Sequence, residues 1–163
     1  MRGLPMDLYV RSLREKFFIP EEAAKHFRPF TDANYTDPRS FVIFDDAKSY
    51  FARSNRKYDI IVSEPSNPWV SGVSSLFTRE FYARVKGQIN PGGIMVQWIH
   101  TYSFNEALLA SVVRAMRESF PEYVVYAANN GDLIFVASPS GPVPPLTDAV
   151  FKMPNAAKLL ERL

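Results

Sequence analysis

Three short runs of apolar residues, each bounded by polar or turn residues, set the rhythm of the chain: Phe41-Val-Ile-Phe44, Tyr58-Asp-Ile-Ile-Val62 and residues 94–99. Continuous apolar runs of this length are the pattern of strands buried on both faces. Between and after them the period changes. Leu76, Phe77, Phe81, Val85 and Ile89 recur at helical spacing, which predicts an amphipathic helix over 74–88 capped by Ser74 and broken by Asn90-Pro-Gly-Gly93. Leu108, Leu109, Val112, Val113, Met116 and Phe120 predict another over 105–119, ended by Pro121. A shorter helix, from Ala47 to about Ser54, starts at the capping pair Asp45-Asp46. Residues 122–128 and 132–137 are β-rich and flank Asn129-Asn130-Gly131, a strong hairpin signal.

The ends are less regular. Residues 8–18 mix apolar and basic positions without a clean period and read as a weak helix or an irregular lead-in. Pro20-Glu21-Glu22 has the signature of a helix start, and that helix stops before Pro29. Residues 29–38 are polar loop, and a proline-rich stretch beyond Ser138 precedes a short helix over 155–163. The expected organisation is one α/β domain over 1–141 and a proline-rich tail over 142–163. Strands alternating with helices argue a mainly parallel sheet covered on both faces, closed by an antiparallel C-terminal hairpin.

Composition narrows the chemistry. Nineteen Lys and Arg against 17 Asp and Glu leave a formal charge of +2, too small to argue for nucleic acid as a partner. The absence of cysteine excludes disulfides, thiolate metal sites and cysteine nucleophiles, and the two histidines, His26 and His100, exclude a histidine-rich metal centre. No metal site is expected. The longest apolar runs are far shorter than the ~20 residues of a membrane-spanning helix, and no signal-peptide pattern opens the chain, so a cytoplasmic location is expected. Seven glycines against 13 prolines invert average usage, which gives roughly 11 and 8 for this length. Glycine-rich phosphate cradles are hard to build from that supply.

In a parallel sheet, functional groups collect at the carboxyl ends of the strands. Three places qualify: Asp45 and Asp46; the loop Ser63-Glu-Pro-Ser-Asn-Pro-Trp69; and Gln97-Trp98-Ile-His100-Thr-Tyr102. Asp45 and Asp46 read first as a helix cap and a dipole-favourable acid, and also as carboxylates placed to accept from an amino group of a bound base or sugar; both readings can hold at once. The two prolines of the second place stiffen a loop carrying Glu64 and Asn67, although an ordinary connection with Trp69 over the core has the same composition. In the third, a lone His100 reads as a surface or hydrogen-bonded histidine more often than as a catalyst. No nucleophile elbow, Walker loop, His-Glu-x-x-His or EF-hand pattern occurs.

Asp37-Pro-Arg39, Asp45-Asp-Ala47, Tyr58-Asp-Ile-Ile-Val62, Asn67-Pro68, Leu76-Phe-Thr-Arg-Glu-Phe-Tyr82 and Pro91-Gly-Gly93, in that order, resemble the polyamine aminopropyltransferases, the spermidine synthase family. Ser63-Glu-Pro-Ser-Asn-Pro-Trp69, Gln97-Trp98 and Gly131-Asp-Leu-Ile-Phe-Val-Ala-Ser138 look most like the spermidine synthase-like domains fused to membrane transporter-like segments. The resemblance covers about residues 20–138. It implies part of a Rossmann-like class I methyltransferase fold, with decarboxylated S-adenosylmethionine or S-adenosylmethionine as co-substrate, and a small-molecule nucleoside and a polyamine as partners. A homo-oligomer is also compatible with it.

Carried over by residue, the resemblance implies that Asp46 and Ala47, with Asp45, hold the adenine of the nucleoside. Glu64 stands at the family's proton-accepting aspartate, Asn67 at a second aspartate that holds the cationic amine, and Gln97, with Tyr102 nearby, at the wall of the same pocket. Glu15 falls where an acid for the ribose hydroxyls belongs. The chain departs from the family with Glu for Asp at 64 and neutral Asn for Asp at 67, and no glycine lies between Gly3 and Gly72 to form the cofactor's Gly-x-Gly turn. Three readings follow: a partial spermidine synthase-like domain, an S-adenosylmethionine-dependent methyltransferase on the same fold, and a truncated, non-catalytic interaction module.

Overall fold

The computed structural model describes residues 9–12, 38, 41–65, 72–102 and 105–152, and for Tyr9–Ser12, Val42, Phe44, Val150 and Phe151 only the backbone. The first element corrects the expected lead-in. Tyr9–Ser12 is a strand, β1, laddered in parallel with β2, Val42–Asp45, in the register Tyr9↔Val42 to Ser12↔Asp45. Four residues carry too short a pattern to reveal a strand whose partner lies some thirty positions on, and Tyr and Val are good strand formers once that partner exists. The helix expected after Pro20, the loop over 29–37 and the helix expected over 155–163 lie outside the described residues.

Helix α1, Ala47–Arg53, follows β2 and is capped as the acidic pair predicts: Asp46 Oδ2 accepts hydrogen bonds from the Ser49 backbone N–H at 2.9 Å and from its Oγ at 2.8 Å. Arg53, in the last turn, reaches back to pair with Asp45. The chain then enters β3, Tyr58–Ser63, which runs parallel to β4, Ile89–His100. Between them the expected single helix over 74–88 is two pieces, a 3-10 turn, Ser74–Phe77, and α2, Arg79–Gly87. Thr78 divides them. Its backbone is extended and its Oγ1 accepts from the Phe81 N–H, so threonine rather than Ser74 makes the cap.

Strand β4 also begins earlier than predicted. Asn90-Pro-Gly-Gly93 is a bulge inside it, spanned between the pairs Tyr58↔Ile89 and Ile60↔Ile94. Gly92 supplies the left-handed backbone, φ 79°, and a Cβ on Gly93 would lie 2.6 Å from the Asp59 carbonyl oxygen. Helix α3, Glu106–Arg117, starts at Asn105, whose Oδ1 accepts from the Leu108 N–H at 2.8 Å. The predicted hairpin follows as β5, Glu122–Asn129, and β6, Asp132–Ser138. A second 3-10 turn, Asp148–Lys152, lies beyond it.

The larger sheet has the order β3-β4-β6-β5, parallel between β3 and β4 and antiparallel elsewhere, so it is mixed. One face is closed. Ile61, Met95, Ile99, Phe135 and Ala137 share it by register and pack with Phe81, Tyr82 and Val85 of α2, Val112 and Met116 of α3, and Phe120. The opposite face corrects the expectation that every strand is covered on both sides: Ile60, Val62 and Val124 on that face are exposed, Val62 at 62%. Phe41, just before β2, is also exposed. An apolar run specifies a strand but not which neighbour shields each side.

Candidate active site

Parallel pairing brings the carboxyl ends of β3 and β4 together, and antiparallel pairing adds the first residue of β6 to the same end. The last registered pair of β3 and β4 is Ser63↔Gln97. Strand alternation then sets Glu64 level with Trp98 on the face opposite Gln97. Glu64 is exposed there. Two residues further along β4, His100 pairs with Asp132 across the antiparallel ladder. Its Nδ1 lies 2.6 Å from Asp132 Oδ1, while Asn129 Nδ2 donates to Asp132 Oδ2 at 2.5 Å. Asn129 Oδ1 in turn accepts from the Gly131 N–H, and the Thr101 N–H donates to the Gly131 carbonyl, so the hairpin turn itself fixes this carboxylate.

The bond from Asn129 is the main reason the Asp132 carboxyl is held below its usual range. Burial opposes that shift, and His100 and the Trp98 indole reinforce it. Three rings form a row that includes His100, the carboxylate's partner. Trp98 and His100 have centroids 4.1 Å apart, and His100 and Tyr102 5.1 Å. Tyr102 stands exposed at the open end of the row.

Gln97 takes the other side. It is fully buried, its Nε2 donating to the Ser63 carbonyl at 3.2 Å and to the Trp98 carbonyl at 3.1 Å, and its Oε1 has no hydrogen-bond partner among the described residues. An amide oxygen left without a hydrogen bond in the interior costs about 1–3 kcal/mol. Gln97 therefore ties the ends of β3 and β4 together from the buried side, in register with Ser63 and on the face opposite Glu64.

The remaining predicted residues divide between the smaller sheet and segments outside the described residues. Asp45, Asp46 and Ala47 lie at the carboxyl end of β2: Asp45 Oδ1 accepts from the Asp46 N–H, Asp46 caps α1, and Ala47 is buried. Both aspartates thus have structural work, which leaves the ligand reading compatible because a carboxylate accepts several hydrogen bonds at once. Glu15, Asn67, Trp69 and His26 lie outside the described residues. Asp132 is the member of this constellation that sequence reasoning missed. Its signal was a lone acid opening the apolar run Leu133-Ile-Phe-Val136 right after a turn, and its meaning depended on knowing that β6 lies against β4.

Among the described residues no helix is long and apolar enough to cross a membrane. The spermine/spermidine synthase domain model matches residues 18–130. The chain is 33% identical over 108 residues to a polyamine aminopropyltransferase of Bacillus subtilis, covering 66% of this chain and 39% of that protein. It is 30% identical over 110 residues to that of Korarchaeum cryptofilum, covering 68% and 34%. The chain thus spans little more than a third of the length of these relatives. Among solved structures, a spermidine synthase in complex with the transition-state analogue AdoDATO superposes with a TM-score of 0.60 at 17% identity, covering 88% of this chain and 58% of that one. Human methyltransferase-like protein 13 in complex with SAH gives 0.60 at 20% identity, covering 87% and 65%. The fold is accordingly Rossmann-like and of the methyltransferase type. With 18–130 matched by the family model, the chain belongs to the spermine/spermidine synthase domain family.

Proposed function

We propose that this chain carries the acceptor side of an aminopropyl-transfer site, in which an amine attacks the carbon beside the sulfonium of decarboxylated S-adenosylmethionine. The observation that carries the reading is the placement of Glu64, an exposed carboxylate one residue past the carboxyl end of a parallel strand, beside a strand end that Gln97 locks from the buried side. Such strand ends are where open α/β sheets bind their ligands.

The chemistry asks for that group. A primary amine is a cation at neutral pH and has no lone pair to offer until a base removes a proton. In this reading Glu64 takes that proton and holds the nitrogen in line with the reacting carbon. The nitrogen lone pair forms the new C–N bond, the C–S bond breaks, and its electron pair leaves with sulfur as a neutral thioether. Proton acceptance and alignment are the two contributions this chain makes; the sulfonium supplies the leaving group. Asp45 and Asp46, at the end of β2, offer carboxylate acceptors of the kind that hold an adenine amino group or a ribose hydroxyl.

Calorimetric titration with methylthioadenosine, the product nucleoside, tests the donor half. Asp46→Ala would also remove the cap of α1, worth about 1 kcal/mol, whereas Asp46→Ser removes the carboxylate but keeps a capping oxygen. Saturable heat from the unmodified chain, weakened about tenfold by Asp46→Ser, is expected. No heat at millimolar nucleoside would contradict the reading.

A further inference from the structure

On the closed side of the larger sheet, α3 and the outermost strand β5 bound an open cavity of about 480 Å³, lined by Ala110, Val113, Arg114, Arg117, Glu118 and Tyr123. Its floor is apolar and its rim is basic. We infer that this cavity binds an amphipathic organic anion, a carboxylate or phosphate head on a flat apolar body.

The charge balance selects an anion. Arg114 and Arg117 are exposed and stand about one helical turn apart on α3. Neither has an ion pair or hydrogen bond among the described residues. Glu118, the acid that lines the same cavity, is taken by Arg79, whose Nε lies 3.1 Å from Glu118 Oε1. Glu122 adjoins Tyr123, but strand alternation sends it to the other face of the sheet. Two guanidinium groups are thus left without a compensating carboxylate. Like charges at this spacing repel, and an anion held between them relieves the repulsion. Long helical side chains lean back toward the preceding turn, which carries Arg114 over Ala110 and Arg117 over Val113. The planar fork of each guanidinium matches the oxygens of a carboxylate or phosphate, so the pair can hold one head group from two sides.

The floor selects the apolar body. Val113 and Tyr123 are half-buried and packed against the core, so their positions are fixed. Val125, two residues along β5 on the same face as Tyr123, is 42% exposed and extends the apolar surface. An exposed ion pair alone holds an anion weakly. The Tyr123 ring and Val113 add a contact that only an apolar group can use. The volume also falls within the ~300–1,000 Å³ of small-molecule sites.

The cavity is distinct from the strand ends that carry Glu64. Tyr123 is level with Ala137 and, through it, with Met95, whereas His100 comes five residues later on β4, about 17 Å along the strand. The inference therefore does not depend on the amine-transfer reading.

The test is calorimetric titration of the full chain at low ionic strength with 1-naphthyl phosphate and 2-naphthoate, and with inorganic phosphate and neutral 2-naphthol as comparisons. The variants are the double substitution Arg114→Gln with Arg117→Gln, which removes both charges but keeps good helix formers, and Ala110→Glu, which installs a carboxylate one turn before Arg114 in a helix-favouring pair. Saturable binding of a naphthyl anion is expected, and the tighter of the two names the head group. Inorganic phosphate and naphthol should bind at least about tenfold more weakly, and each variant should weaken the naphthyl anion by a similar factor. Naphthyl binding unchanged in the variants would place the anion elsewhere and overturn the inference. Inorganic phosphate binding as tightly as naphthyl phosphate would overturn it too, as would the lack of saturable binding by both naphthyl anions.

Discussion

Tyr50 of α1 and Tyr58 of β3 join their elements through hydroxyl groups 2.7 Å apart. Burial is the larger cause, and the bond to Tyr50 the next, of a Tyr58 phenol pushed up to about 12 from its ordinary 10.0. A folded value above the unfolded one means the fold favours the neutral phenol. Its contribution to stability is complete below about pH 10 and is lost as the pH rises through about 12. Melting followed by circular dichroism should therefore show a fall in Tm over that alkaline window, and Tyr58→Phe should flatten it. Equal alkaline slopes in the two proteins would contradict this account. The residue level also shows how far sequence can reach. Asp46 was legible as a cap because capping is local, decided within three residues. Asp132 was not, because its partner His100 lies 32 positions away and becomes a neighbour only when β6 inserts between β4 and β5.

At the scale of elements, periodicity identified β2 through β6 and the three helices but misjudged what bounds some of them. The break inside 74–88 comes from Thr78, whose side chain competes locally for the backbone and restarts the helix. The residues 90–93 look like a stop signal, yet the neighbouring strand carries the chain through them as a bulge, with Gly93 packed against the Asp59 carbonyl. Burial was the least legible property. Ile61 and Val62 are adjacent and similar in sequence, but Ile61 faces the closed core at 7% exposure while Val62 stands at 62%. Ile61→Ala should cost about 2–4 kcal/mol in urea unfolding, whereas Val62→Ala should stay within about 0.5 kcal/mol. Comparable losses at the two positions would mean that the uncovered face is shielded in solution.

For the molecule as a whole, the ordered motifs lead to the same family that the family model and the curated relatives do. What links the sequence pattern to function is the sheet topology. Parallel pairing of β3 with β4 delivers Glu64 and Gln97 to one end, and the antiparallel hairpin returns Asp132 to that end. The glycine shortage has its place in the same picture, since no glycine precedes Gly72 except Gly3, and the proposed nucleoside contacts come instead from carboxylates at the end of β2. In the proposed reading, aminopropyl transfer depends above all on Glu64 accepting a proton. General-base removal typically lowers rates by ~10²–10⁴-fold. The direct measurement is the rate of amine-dependent release of methylthioadenosine from decarboxylated S-adenosylmethionine, with the chain as it stands and with Glu64→Gln. The account predicts measurable release that falls by at least about a hundredfold in Glu64→Gln; release that is absent from the unmodified chain, or unchanged by the substitution, would contradict it.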